Sequence, residues 1–145
     1  MTTTESEPAG LVMLRDRLAG SGPPLGVAEL IGMRAVALEA GRVVFSADAS
    51  PRFSNPMGTV HGGVSAILLD SAVGCAVQSV LPEGKAYTTL GLELKYLRPI
   101  ALDAGELTAT GTVVHAGRRQ ATAEGRLTDP AGRLLATCTT TCLVL

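Results

Sequence analysis

Two adjacent glycines, Gly62 and Gly63, stand where the Pro/Gly-rich stretch Asn55-Pro56-Met57-Gly58-Thr59-Val60-His61 gives way to the apolar run Val64–Val77. The first part reads as a loop and the second as a helix. The glycine N–H groups therefore fall at the helix start, where backbone donors lack intrahelical partners and the dipole is positive. With no side chain in the way, a polar ligand can approach them closely. Further along the same run comes one acid, Asp70. A lone carboxylate in an apolar helix is unfavourable unless it has a partner or a task. Donors ready for an oxyanion and an acid on one helix point to acyl-group chemistry.

Acyl transfer to water builds negative charge on the carbonyl oxygen. Preorganised donors aimed at that oxygen contribute about 2.7–4 kcal/mol each, and the amides of Gly62 and Gly63 are the natural candidates. Water must also be activated, and a carboxylate does this as a general base or attacks the carbonyl itself. Asp70 is the only acid in the run. From Gly62 to Asp70 a helix rises about 12 Å, at roughly 1.5 Å per residue. One carbonyl cannot touch both. The amide and the acid must then come from different chains, which predicts a homodimer with two-fold-related sites. His61 is read as fixing the loop at the helix start rather than as a base. Asn55 is either an ordinary turn residue before Pro56 or a site residue.

The elements that must position these groups follow from the hydrophobic pattern. Residues 1–10 are expected to be a polar, flexible tail and 11–31 a helical lead, with Leu11–Leu18 its first helix and Leu25–Ile31 a further turn. Gly32–Leu38 and Val43–Ala47 read as a hairpin. The central helix should stop near Leu81-Pro82-Glu83-Gly84. Tyr87–Tyr96, Gly105–His115, Gln120–Thr128 and Leu134–Leu145 then read as strands, joined by turns at Ala116-Gly117-Arg118-Arg119 and Asp129-Pro130-Ala131-Gly132. Short turns mean antiparallel neighbours. One buried helix with a long antiparallel sheet is an α+β layer design, in which five to six strands curl around the helix.

Composition excludes several classes. The 145 residues suffice for one domain, residues 32–145 forming its core. A net charge of −1, only 3% aromatic residues and no Trp argue against a nucleic-acid partner. The stretch Gly63–Leu81 is apolar enough to raise a membrane span, but Asp70 near its middle and the lack of flanking cations oppose it. Three cysteines, Cys75, Cys138 and Cys142, without an export signal suggest free core thiols and a cytoplasmic location. No metal-ligand pattern is read. His115 is taken as a surface residue.

The order of elements, the segment Asn55-x-x-Gly58-x-x-His61-Gly62-Gly63 and the following Asp70 resemble the hotdog-fold thioesterases of the phenylacetyl-CoA and 4-hydroxybenzoyl-CoA type. Tyr96-Leu97-Arg98-Pro99 and Gly132-Arg133-Leu134-Leu135-Ala136 add to the likeness, which covers about residues 25–145. The resemblance implies hydrolysis of an acyl-CoA thioester by a homodimer or homotetramer, without metal or any cofactor beyond the CoA of the substrate. It implies that Asn55 orients water or the carbonyl, and that Thr89 hydrogen-bonds near the acid of its own chain. The 4-hydroxybenzoyl-CoA type has Glu in place of Asp70 and a Thr one turn beyond it, where this chain has Gly74. CoA phosphates call for cations, and Arg98, Arg118, Arg119 and Arg133 are the candidates. An acyl-CoA-binding module without catalysis is the alternative. A dehydratase ranks lower, because that chemistry generally uses an acid–His pair acting across the site.

Overall fold

The computed structural model describes residues 6–145. Of the expected tail, residues 1–5 lie outside the described residues, and the first helix starts earlier than the pattern suggests. α1 spans Ala9–Leu18 and α2 spans Val27–Ile31. Gly10 explains the earlier start. Its N–H donates to the Leu81 carbonyl at 3.1 Å, and a Cβ there would stand 1.9 Å from the Gln78 carbonyl oxygen. The helix can dock only through a residue with no side chain.

The remaining elements are β1 (Arg34–Glu39), β2 (Arg42–Asp48), a 3-10 turn at Pro51–Phe53, α3 (Gly62–Gln78), β3 (Tyr87–Tyr96), β4 (Glu106–Ala116), β5 (Gln120–Thr128) and β6 (Leu134–Val144). All six strands form one antiparallel sheet in the order β1-β2-β4-β5-β6-β3, wrapped on α3. α3 begins at Gly62, ahead of the apolar run, and ends at Gln78, short of the expected stop. Among the described residues no helix is long and apolar enough to cross a membrane.

The helix seats deeply because two strands lack side chains beneath it. Gly111 of β4 and Gly125 of β5 are paired in register. A Cβ on Gly111 would lie 2.3 Å from the Ala72 carbonyl oxygen, and one on Gly125 would lie 2.9 Å from a Val73 methyl. Phe45, Leu68, Leu69, Leu107, Leu127, Val73 and Val77 fill the space around this contact and are fully buried. Burying each such side chain contributes about 1.5–3 kcal/mol. The face of α3 left incompletely covered carries Gly63, Ala66, Ile67, Asp70 and Ser71, a run at helical spacing.

β3 is an edge strand whose regularity breaks in the middle. Thr89 pairs with Cys142 and Gly91 with Thr141, so Leu90 is an extra, unpaired residue. This is a β-bulge. Residues paired with the buried Cys142, Thr140, Cys138 and Ala136 face the helix, and these are Thr89, Leu92, Leu94 and Tyr96. An odd-numbered set thus changes to an even-numbered one across Leu90. A regular strand could not turn both Thr89 and Tyr96 inward. The Thr140 hydroxyl donates to the Gly91 carbonyl at 2.9 Å and fastens the bulge.

Candidate active site

The loop ahead of α3 closes on itself through Asn55. The Asn55 amide nitrogen donates to Thr59 Oγ1 at 2.8 Å, and its Oδ1 accepts from the N–H groups of Met57 at 2.9 Å and Thr59 at 3.1 Å. The main chain adds Asn55 N–H to the Thr59 carbonyl at 2.8 Å, and Gly58 takes the positive φ of +83° that the turn requires. Val60 then bonds to the Ile100 carbonyl and His61 to the Phe53 carbonyl. Both ends of the Asn55 side chain are therefore occupied inside its own loop, and its contribution is to hold that loop.

His61 is the N-cap of α3. Its Nδ1 accepts the Gly63 N–H at 2.8 Å. Capping removes one of the orphan donors of the helix, and it separates the two glycines. The Gly63 amide is held by the imidazole, whereas among the described residues the Gly62 N–H has no hydrogen-bond partner. Tyr96 lies over this point. Its hydroxyl donates to the Gly62 carbonyl at 2.9 Å, and its ring would be 3.2 Å from a Cβ on Gly62. A groove of about 290 Å³ opens here, lined among others by Asn55, Gly62, Ser65, Tyr96 and Arg98.

Asp70 sits lower on α3, half-buried, and its Oδ1 accepts the Thr89 hydroxyl at 3.0 Å. The inward turn of Thr89 depends on the bulge at Leu90. Around the carboxylate lie Cys75, Tyr87, Cys138 and Cys142, all of which feel its charge. Burial first, and then the Asp70 charge, push the Cys75 thiol up to about 12, against the neighbouring Tyr87 hydroxyl, which lowers it. Burial likewise takes Cys138 to about 11. These thiols are protonated at neutral pH and so are poor nucleophiles. All three cysteines are free.

The candidate cations divide. Arg98 is exposed beside the Gly62 groove. Arg118 and Arg119 lie at the opposite end of the sheet, where the Val144 N–H meets the Arg119 carbonyl at 2.9 Å and Val144 pairs with Tyr87. Arg133 is engaged within the β5–β6 turn, its Nε donating to Asp129 Oδ2 at 2.7 Å and its N–H to Oδ1 at 2.9 Å. Tyr96 and Tyr87 are the contact residues that the sequence pattern did not single out. The signal for Tyr96 was its place in Tyr96-Leu97-Arg98-Pro99, and for Tyr87 the missing side chain at Gly74.

Comparison with known proteins decides the family. The thioesterase superfamily model matches residues 57–136, a span that includes Gly62, Gly63, Asp70 and Thr89. The chain belongs to the thioesterase superfamily. Its fold is the hotdog fold, and its class is that of enzymes that hydrolyse thioesters. Over 121 residues it is 31% identical to the 1,4-dihydroxy-2-naphthoyl-CoA hydrolase of Listeria monocytogenes, covering 83% of this chain and 94% of that protein. A phenylacetic acid degradation-related protein of Ralstonia eutropha superposes with a TM-score of 0.80 at 33% identity, over 89% of this chain and 97% of that one. The E. coli PaaI protein from the phenylacetic acid degradation operon shares the fold, with a TM-score of 0.83 at 20% identity over 97% and 96% of the two chains.

Proposed function

We propose that this protein hydrolyses an acyl-CoA thioester to free CoA and a carboxylic acid, with an aromatic acyl group as the first candidate. The observation that carries this reading is the Gly62 N–H at the start of α3, without a partner among the described residues, on the same helix as a half-buried carboxylate held by Thr89. The N–H receives the carbonyl oxygen as negative charge develops on it. Asp70 takes the proton of the attacking water, or attacks the carbonyl itself to form an anhydride. His61 holds Gly63 and the loop, and Asn55 keeps the loop closed. The Listeria relative is named for an aromatic acyl-CoA, which supports the choice of acyl group.

The site is shared between two copies. α3 is one helix from Gly62 to Gln78, so its amide and its acid stay about 12 Å apart in one chain. β3 is an edge strand with an exposed Leu90, and Met57, Tyr96 and Leu97 near Gly62 are each more than half exposed. Pairing of two β3 edges about a two-fold axis covers this apolar surface and lays two α3 helices side by side, antiparallel. Arg98 then comes from the amide's chain, and Arg118 and Arg119 from the acid's chain, to grip CoA phosphates. Three free thiols accord with a cytoplasmic enzyme.

The test is thiol release, followed with a coloured disulfide reagent, over a panel of aromatic, short-chain and medium-chain acyl-CoAs. Release is expected with an aromatic member, and Asp70→Asn should lower kcat by about 10²–10⁴-fold, the range for a positioned base. Acyl-CoA binding with no release from any member would replace this reading with a binding module.

A further inference from the structure

Tyr87 carries a hydroxyl that the site described so far leaves without a role. It lies on β3 two residues before Thr89, on the same side of the bulge, and so faces α3 as Thr89 does. Its phenol lies against Gly74. A Cβ on Gly74 would stand 2.2 Å from Tyr87 Oη, 2.6 Å from Cζ and 2.7 Å from Cε2. A side chain at position 74 would have to displace this ring. The helix has given up its own side chain one turn beyond Asp70, and the strand delivers a hydroxyl to the same place.

That hydroxyl is available. Among the described residues it makes no hydrogen bond of normal length, and the Cys75 thiol beside it is a weak acceptor. Burial first, and then the charges of Cys75, Asp70 and Cys142, hold the phenol above its ordinary value, so it remains a donor at neutral pH. From Asp70 to Gly74 the helix rises about 6 Å. Two O–H···O bonds end to end span about 5.6 Å. The hydroxyl over Gly74 thus stands one helical turn beyond Asp70, the scale over which one water can join a hydroxyl to a carboxylate.

We propose that Tyr87 is a positioning residue for the attacking water, gripping it by its oxygen while Asp70 accepts its proton. The proposal rests on the reading of Asp70 as the base of a thioester hydrolase. The water oxygen forms the new C–O bond, and its proton passes to Asp70. The tetrahedral intermediate then breaks the C–S bond, and the leaving CoA thiolate takes that proton back from Asp70.

The experiment compares wild type, Tyr87→Phe, Tyr87→Ala, Gly74→Thr and the double variant Tyr87→Ala/Gly74→Thr on every acyl-CoA that wild type cleaves. Tyr87→Phe should lower kcat about tenfold with KM within about twofold, whatever the acyl group, because a misplaced reactant is lost in the rate and not in binding. Gly74→Thr alone should be crippled by its clash with the ring. The double variant should turn over faster than Tyr87→Ala, since removing the ring makes room for a hydroxyl on the helix. Wild-type kcat in Tyr87→Phe overturns the proposal, and so does a loss confined to KM for one acyl class, which would make Tyr87 a pocket wall. A double variant no faster than Tyr87→Ala also counts against it. Full turnover by Asp70→Asn would instead remove the underlying reading, so the two failures are distinguishable.

Discussion

Thr89→Val separates the role of a hydroxyl from that of a strand residue. Valine keeps the β-branched shape and the strand preference of threonine, so the bulge and the pairing with Cys142 should survive. What goes is one O–H donor, 3.0 Å from Asp70 Oδ1. A hydrogen bond to a charged group contributes about 1.5–3 kcal/mol. Asp70 is half-buried and water can replace part of the bond, so the lower end applies, about 1.5–2 kcal/mol. Expressed on the barrier, that is roughly 10–30-fold in kcat. KM should change little, because the bond orients the acid and does not hold the substrate. Thr89→Ser retains the donor and should stay within about threefold of wild type. Thiol-release kinetics on the preferred acyl-CoA read both variants, and circular dichroism checks the fold. Turnover of Thr89→Val within about twofold of wild type would refute the view that this hydroxyl positions the carboxylate.

Three further outcomes follow from the packing and the caps. Gly111→Ala places a Cβ against the Ala72 carbonyl and should destabilise by about 1–3 kcal/mol, read as a lower Tm, with the loss carried by the fold rather than the chemistry. His61→Ala removes the acceptor for Gly63 N–H and should cost about 0.5–2 kcal/mol, while His61→Asn supplies another capping oxygen and should recover both stability and rate; equal losses in the two would point to a role beyond capping. Burial pushes the Asp129 carboxyl up, but the Arg133 N–H, the guanidinium and its charge, and the Ala131 N–H more than offset this and hold it below its usual value. Its stabilisation is therefore present above the carboxylate range of the unfolded chain and fades as pH falls through the folded value. Asp129→Asn should melt below wild type at pH 7, and the gap should narrow as pH falls below the ordinary carboxylate range.

The residue pattern carries most of the architecture, because the six strands and α3 differ in period and are separated by turn residues and Pro. It does not carry the bulge. Tyr87–Tyr96 reads as plain alternation, which would turn Thr89 away from the face that holds Leu92, Leu94 and Tyr96. The resemblance placed Thr89 near the acid, and the extra residue Leu90 supplies the geometry. Arg133 illustrates a second limit. Its turn partner Asp129 is close in sequence, yet nothing in residue type distinguishes an arginine held by its own turn from one free for phosphate. The two glycines illustrate a third. They are equivalent in the sequence, and only the imidazole of His61 separates a held amide from an open one.

That open amide allows the shared site to be tested without solving a complex. Gly62→Pro deletes the one N–H, and because its Cβ would stand 3.2 Å from the Tyr96 ring, Gly62→Ala serves as the control that adds the Cβ and keeps the N–H. Proline is favoured at the first helical position, and His61 already has the φ of −58° and ψ of 133° that a residue before proline prefers. Asp70→Asn deletes the other half. Each variant alone should be nearly inactive. If amide and acid meet only across a two-fold axis, unfolding and refolding an equal mixture gives heterodimers in half of the population. In each heterodimer one site combines the intact amide of one chain with the intact acid of the other, and the second site lacks both. Activity should therefore return to about a quarter of wild type, at equal protein concentration. A site contained in one chain predicts no recovery at any mixing ratio. The ratio also matters, because heterodimer numbers peak at equal amounts, so activity should rise and fall symmetrically about that point.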